Sequence, residues 1–72
     1  MTDVSEVSLQ VNGEARTVPG PVTVAQLLQH LGVETRQVGV ERNRTLVLRA
    51  EFDRTELCDG DEIEIVTFVG GG

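Results

Sequence analysis

The 72-residue chain has no lysine, tryptophan or tyrosine, and only one cysteine, one histidine, one methionine and two phenylalanines. Each shortage removes a class of function. Cys58 has no second cysteine for an internal disulfide, and with His30 as the sole histidine there is no Cys- or His-rich set to hold a metal. Nucleic-acid binding draws on clustered positive charge and on rings that stack with bases. Here twelve acidic residues stand against six arginines, a net charge of −6, with no basic cluster. No apolar run approaches the roughly 18 residues of a membrane span. The opening MTDVSE lacks the basic and apolar regions of a secretory signal. A soluble, cytoplasmic domain is expected, binding neither nucleic acid nor membrane. A domain of this size buries only about 60% of its unfolded surface, which leaves little room for an enclosed active site. Its negative charge favours a protein partner with a basic face.

What is present is ordered by period and punctuation. Val7-Ser8-Leu9-Gln10-Val11 alternates as a half-buried strand does. Asn12-Gly13 is a strong hairpin signal, and Glu14 to Val18 form the return strand. Pro19-Gly20-Pro21 then breaks regular structure. Thr23 and Gln26 fit a capping box, and Val24, Leu27, Leu28 and Leu31 form one apolar stripe. Gly32 suits the left-handed residue that ends a helix, with Val33 as its apolar contact. Strands are expected over 37–41 and 45–48, joined by a turn at Asn43-Arg44. Residues 50–54 read as a connection, 55–58 as a short pairing segment, and Asp59-Gly60-Asp61 as a tight turn rather than a cation site. The last strand is expected over 62–69.

This order of elements predicts an α+β fold of the β-grasp, ubiquitin-like kind: a mixed sheet of four to five strands with one main helix on one face. The first and last strands would lie parallel at its centre. The division expected is a domain over 1–69 and a flexible glycine tail over 70–72.

Three glycines directly after an apolar strand are a poor choice for an idle terminus, because glycine is the residue with most backbone entropy to lose. They suit a chain end that must thread a narrow channel, since glycine has no Cβ to clash and adopts backbone angles closed to other residues. Fully extended, three residues reach roughly 10 Å. A carboxylate delivered in this way is a poor electrophile and needs activation, commonly as an acyl-adenylate.

The segments VERN (40–43) and ELCDGDEIEIVTFVGGG (56–72), together with the helix opening TVAQLL (23–28), resemble the ThiS family, the sulfur carriers of thiamine biosynthesis. The resemblance implies that the Gly72 carboxylate is adenylated by a ThiF-type activating enzyme, which consumes ATP; no cofactor is bound by the carrier itself. Sulfur from a cysteine desulfurase would then make a thiocarboxylate, used by thiazole synthase (ThiG). Gly70 and Gly71 would form the threading arm. A carrier for molybdopterin or for tRNA thiolation, a ubiquitin-like protein modifier, and an interaction module with an inert tail share many of these features.

Cys58, beside Leu57 and with no cation adjacent in sequence, is expected to pack as a small hydrophobe. His30, one step off the helix stripe, is expected at the surface. In the last strand Ile63, Ile65, Thr67 and Val69 share one face, while Glu62, Glu64, Val66 and Phe68 share the other. Val66 and Phe68 are either tucked under a loop or form an apolar docking patch beside the tail.

Overall fold

The computed structural model describes residues 5–68. Five strands and one α-helix follow in the order β1 (Glu6–Val11), β2 (Glu14–Pro19), α1 (Val24–Leu31), β3 (Val38–Arg42), β4 (Thr45–Val47) and β5 (Glu62–Thr67). The strands form a single mixed sheet ordered β2-β1-β5-β3-β4. β5 runs parallel to β1 and antiparallel to β3. The expected β-grasp arrangement is therefore present, with the last strand at its centre.

Local chemistry explains the turns. Asn12 and Gly13 both have positive φ, 51° and 82°, the conformation that matches the twist of a tight hairpin. Asn43 and Arg44 repeat it at 51° and 70° between β3 and β4. The helix starts on a complete capping box: the Gln26 N–H donates to Thr23 Oγ1 at 3.2 Å, and the Thr23 N–H donates to Gln26 Oε1 at 2.9 Å. It stops at Gly32, which is left-handed, and the Val33 N–H donates to the Leu28 carbonyl at 3.0 Å.

The helix lays Val24, Leu27 and Leu28 on one face of the sheet, where they meet Leu9, Val11, Val38, Val40 and Ile63. A fully buried leucine of this kind stabilises by about 1.5–3 kcal/mol. The connection 49–57 closes the far side and contributes Phe52 and Leu57 to the core. It also takes up helix N–H groups, with Val24 donating to Thr55 and Ala25 to Phe52. Residues 55–58 pair only through a single bridge, Thr23 with Glu56.

Two expectations change. The approach to β3 is a 3-10 turn over Thr35–Gln37, so the strand begins at Val38 rather than at Gln37. β5 ends at Thr67, so Phe68 lies just beyond the strand rather than within the expected 62–69 span; along β5, Ile63 is buried, Ile65 half-buried and Val66 exposed. Among the described residues, no α-helix covers the other face of the sheet. Val69 and the glycines 70–72 lie outside the described residues, as does any division between domain and tail.

Candidate docking face at the root of the tail

The sheet register sets one face of β5 apart. Gly39 pairs with Val66 and Glu41 with Glu64, while Leu46 pairs with Glu41, so these side chains share the helix-free face. The Phe68 N–H donates to the Gln37 carbonyl at 2.7 Å, which holds the chain against β3 beyond the last strand residue. Gly39 lies beneath the Phe68 ring: a Cβ at that glycine would sit 3.2 Å from Phe68 Cζ. Val66 and Phe68 remain 54% and 57% exposed, and Leu46 and Leu48 are 63% and 60% exposed. Phe68 is thus not tucked into the core. With Gly39, Leu46 and Leu48 it borders an apolar cleft of about 200 Å³.

The other end of the same face is acidic. Glu41, Glu62 and Glu64 are exposed there, and they border a shallow depression of about 290 Å³ with Gln10 and Arg44. An apolar half grips by burial, and a charged half orients a basic partner during encounter. No cluster of three or more His, Cys, Asp or Glu suited to a metal forms among the described residues. Among those residues, too, no helix is long and apolar enough to cross a membrane.

The model of the ThiS family matches residues 9–72. The chain belongs to the ThiS family. The sulfur carrier protein ThiS of Bacillus subtilis (strain 168) is 42% identical over 65 residues, covering 89% of this chain and 98% of that one. A thiazole synthase of Paramagnetospirillum magneticum is 44% identical over 66 residues; the match covers 92% of this chain but only 20% of that protein. Among solved structures, the thiamine biosynthesis protein ThiS from Geobacter metallireducens is similar with a TM-score of 0.77 and 40% identity, over 92% of this chain and all of that one.

In this ThiS-family domain the acidic turn is a latch. Asp61 is only 6% exposed. Its carboxylate accepts from Arg42 Nε at 2.9 Å, Asn43 Nδ2 at 3.0 Å and the Cys58 N–H at 2.8 Å. Asp59 Oδ1 accepts the Ser8 N–H at 2.7 Å, and the Gln10 N–H donates to the Asp61 carbonyl at 3.0 Å. The start of β5 is thereby tied to both β1 and the β3–β4 turn. Burial acts to raise the Asp61 carboxyl. The Cys58 N–H, the Asn43 amide and the Arg42 guanidinium outweigh it and hold the carboxyl below its usual value.

A depressed carboxyl contributes stability that is fully present above its unfolded pKa of about 3.9 and is lost as pH falls through the lower folded value. Asp61→Asn is expected to remove about 1–3 kcal/mol at pH 7, because buried donors lose their acceptor. It should also flatten the acid limb of the stability curve. Urea melts of both proteins from pH 7 down to pH 3 check this. A variant as stable as the wild type at pH 7 would show that the latch is not structural.

Cys58 departs from expectation. Leu57 takes the inward position, 3% exposed, and Cys58 faces solvent with its Sγ 4.0 Å from Arg42 Nη2. His30 is exposed, as its place off the helix stripe implies. Gly70, Gly71 and Gly72 lie outside the described residues. Sequence reasoning did not single out Leu46, Leu48 or Gly39 for the docking face.

Proposed function

We propose that the protein is a sulfur carrier of thiamine biosynthesis and acts as a co-substrate, not as a catalyst. The observation that carries this is the ThiS-family match, which runs through the glycines to residue 72. In this reading the Gly72 carboxylate attacks the α-phosphorus of ATP in a ThiF-type enzyme, releasing pyrophosphate. The outer sulfur of a cysteine-desulfurase persulfide then attacks the acyl-adenylate and displaces AMP, giving an acyl disulfide. A second thiol cleaves its S–S bond, forming a disulfide with the desulfurase cysteine and releasing the thiocarboxylate. Thiazole synthase then takes that sulfur into the thiazole precursor.

Two thiazole synthases that contain a segment like this chain, from Paramagnetospirillum magneticum and Magnetococcus marinus, support that enzyme as the recipient. Joining two modules in one chain replaces a bimolecular encounter by a high effective concentration, which is useful when one serves the other. The exposed apolar face supports docking at the tail root. Ordering each glycine costs about 1–2 kcal/mol, so a partner needs contacts elsewhere to offset it. Val66 and Phe68 supply them in this reading.

Intact mass of the protein isolated from its own cells during thiamine synthesis tests the proposal. A fraction heavier by the sulfur–oxygen mass difference is expected. Larger isopeptide conjugates would assign the chain to protein modification, and a purely unmodified population would remove the carrier role.

A further inference from the structure

The ladder between β1 and β5 stops early. β1 turns back at Asn12-Gly13 and pairs with β5 only through Gln10–Glu62 and Val11–Ile63, whereas β3 follows β5 as far as Thr67. Backbone groups along β5 alternate between these two sides. The Glu62 carbonyl accepts the Asn43 N–H and the Phe68 N–H reaches Gln37, so even-numbered residues bond toward the β3 side. Odd-numbered residues turn toward β1, where the Asn12 N–H donates to the Ile63 carbonyl at 2.8 Å.

One step further no strand remains, and the Asn12 side chain takes its place. Asn12 Oδ1 accepts the Ile65 N–H at 2.8 Å, and Asn12 Nδ2 donates to the Ile65 carbonyl at 3.3 Å. Thr67 comes next in the alternation. Its N–H and C=O turn to this same side, and nothing pairs with them there among the described residues. Alongside runs a groove of about 270 Å³, bordered by Leu31, Val33 and Ile65 and by the polar Glu14 and Arg16.

We infer that this free edge of β5 accepts an extended strand of the enzyme that receives the tail. The inference rests on the carrier function proposed above. Glycines offer a partner no side chains, so the partner can hold them specifically only by backbone hydrogen bonds, and strand addition supplies those. One added strand pairs with the Thr67 N–H and C=O, in the groove that Thr67 borders. Asn12 closes the inner end of the ladder and prevents the added strand from sliding inward, which fixes its register. The partner segment is therefore extended, has no proline opposite Thr67, and places an apolar side chain over Leu31, Val33 and Ile65.

The test is amide hydrogen exchange of the full-length, isotope-labelled protein, alone and with a ThiF-type enzyme and ATP. Thr67 is expected to exchange freely alone and at least about tenfold more slowly in the complex, while Val66, bonded to β3, is protected in both. Thr67→Pro removes the edge N–H and leaves the β3 ladder intact, at a position where an edge strand tolerates proline. It should melt near the wild-type temperature and bind about tenfold more weakly, the scale of one or two lost hydrogen bonds. Thr67→Val keeps the N–H and should bind as the wild type does. If Thr67→Pro fails to fold, the exchange measurement on the wild type decides alone. Adenylation of the wild type with unchanged Thr67 exchange overturns strand addition and leaves the carrier function standing. Protection of Thr67 at high concentration without enzyme overturns it in favour of self-pairing. Absence of adenylation overturns both proposals.

Discussion

Removal of Gly71 and Gly72 is expected to abolish ATP–pyrophosphate exchange with the activating enzyme while leaving the melting temperature within about 1–2 °C of the intact protein. The physical separation behind this is plain. Among the described residues, the twelve buried apolar ones run from Leu9 to Ile63. The latch at Asp61 and the Phe68–Gln37 bond both precede the glycines. Stability therefore resides upstream of the deleted residues, and for a domain this small 1 kcal/mol already moves the melting temperature by about 4–8 °C. In the proposed carrier role, activation would need a carboxylate delivered across roughly 7 Å that the two residues no longer span. Exchange assays and melting curves on the same preparation check both halves. Survival of activation, or a large drop in melting temperature, would each contradict the division of labour between sheet and tail.

Phe68→Asp, and separately Val66→Asp, should weaken binding to both the activating enzyme and thiazole synthase by roughly thirtyfold or more. That factor follows from the loss of an interface anchor, about 2 kcal/mol. Both side chains are more than half exposed, so a carboxylate there stays hydrated and the fold should hold. Phe68→Asp also loses the contact with Gly39, and a small fall in melting temperature is expected for it alone. The new charge adds to an already acidic face bearing Glu41, Glu62 and Glu64. A basic partner would tolerate this in encounter but not in the apolar half of the contact. Binding titrations beside melting curves separate the outcomes. Stable variants that bind both enzymes normally would leave the tail as the sole determinant.

How far the sequence discloses this arrangement depends on the range of the interaction concerned. The helix is legible because its signals are local: Thr23 and Gln26 are three residues apart, and the stripe from Val24 to Leu31 needs only one face. The Asn12-Gly13 turn is legible for the same reason. Val66 and Phe68 separate from Ile63 and Ile65 by strand alternation, although alternation alone does not say that no loop covers them. Leu46 and Leu48 were hidden because four residues, Thr45-Leu46-Val47-Leu48, are too few to reveal which face is dry. Composition alone does not place Cys58: in the extended segment beside Leu57 successive side chains turn to opposite sides, and Leu57 takes the inward one. Phe52 lay in a stretch that reads as a connection, yet the helix end needs both its ring and its carbonyl. The side-chain partners of Asp61, Asn43 and Arg42, stand 18 and 19 residues away, and Asn12 meets Ile65 across 53. No local pattern encodes such pairs.

The place of β5 in the sheet also bears on how the protein is made. β1 and β2 form one hairpin and β3 and β4 another, and only β5 joins them. While the ribosome is still producing the first sixty or so residues, the emerging chain can hold a helix and two hairpins but no continuous sheet. The strand that welds them is synthesised last of the five, immediately ahead of the glycines. A polypeptide interrupted before Glu62 therefore lacks both the strand that joins the hairpins and the face that carries Val66 and Phe68. Without β5, the sheet would be left as two separate hairpins, with no strand between β1 and β3.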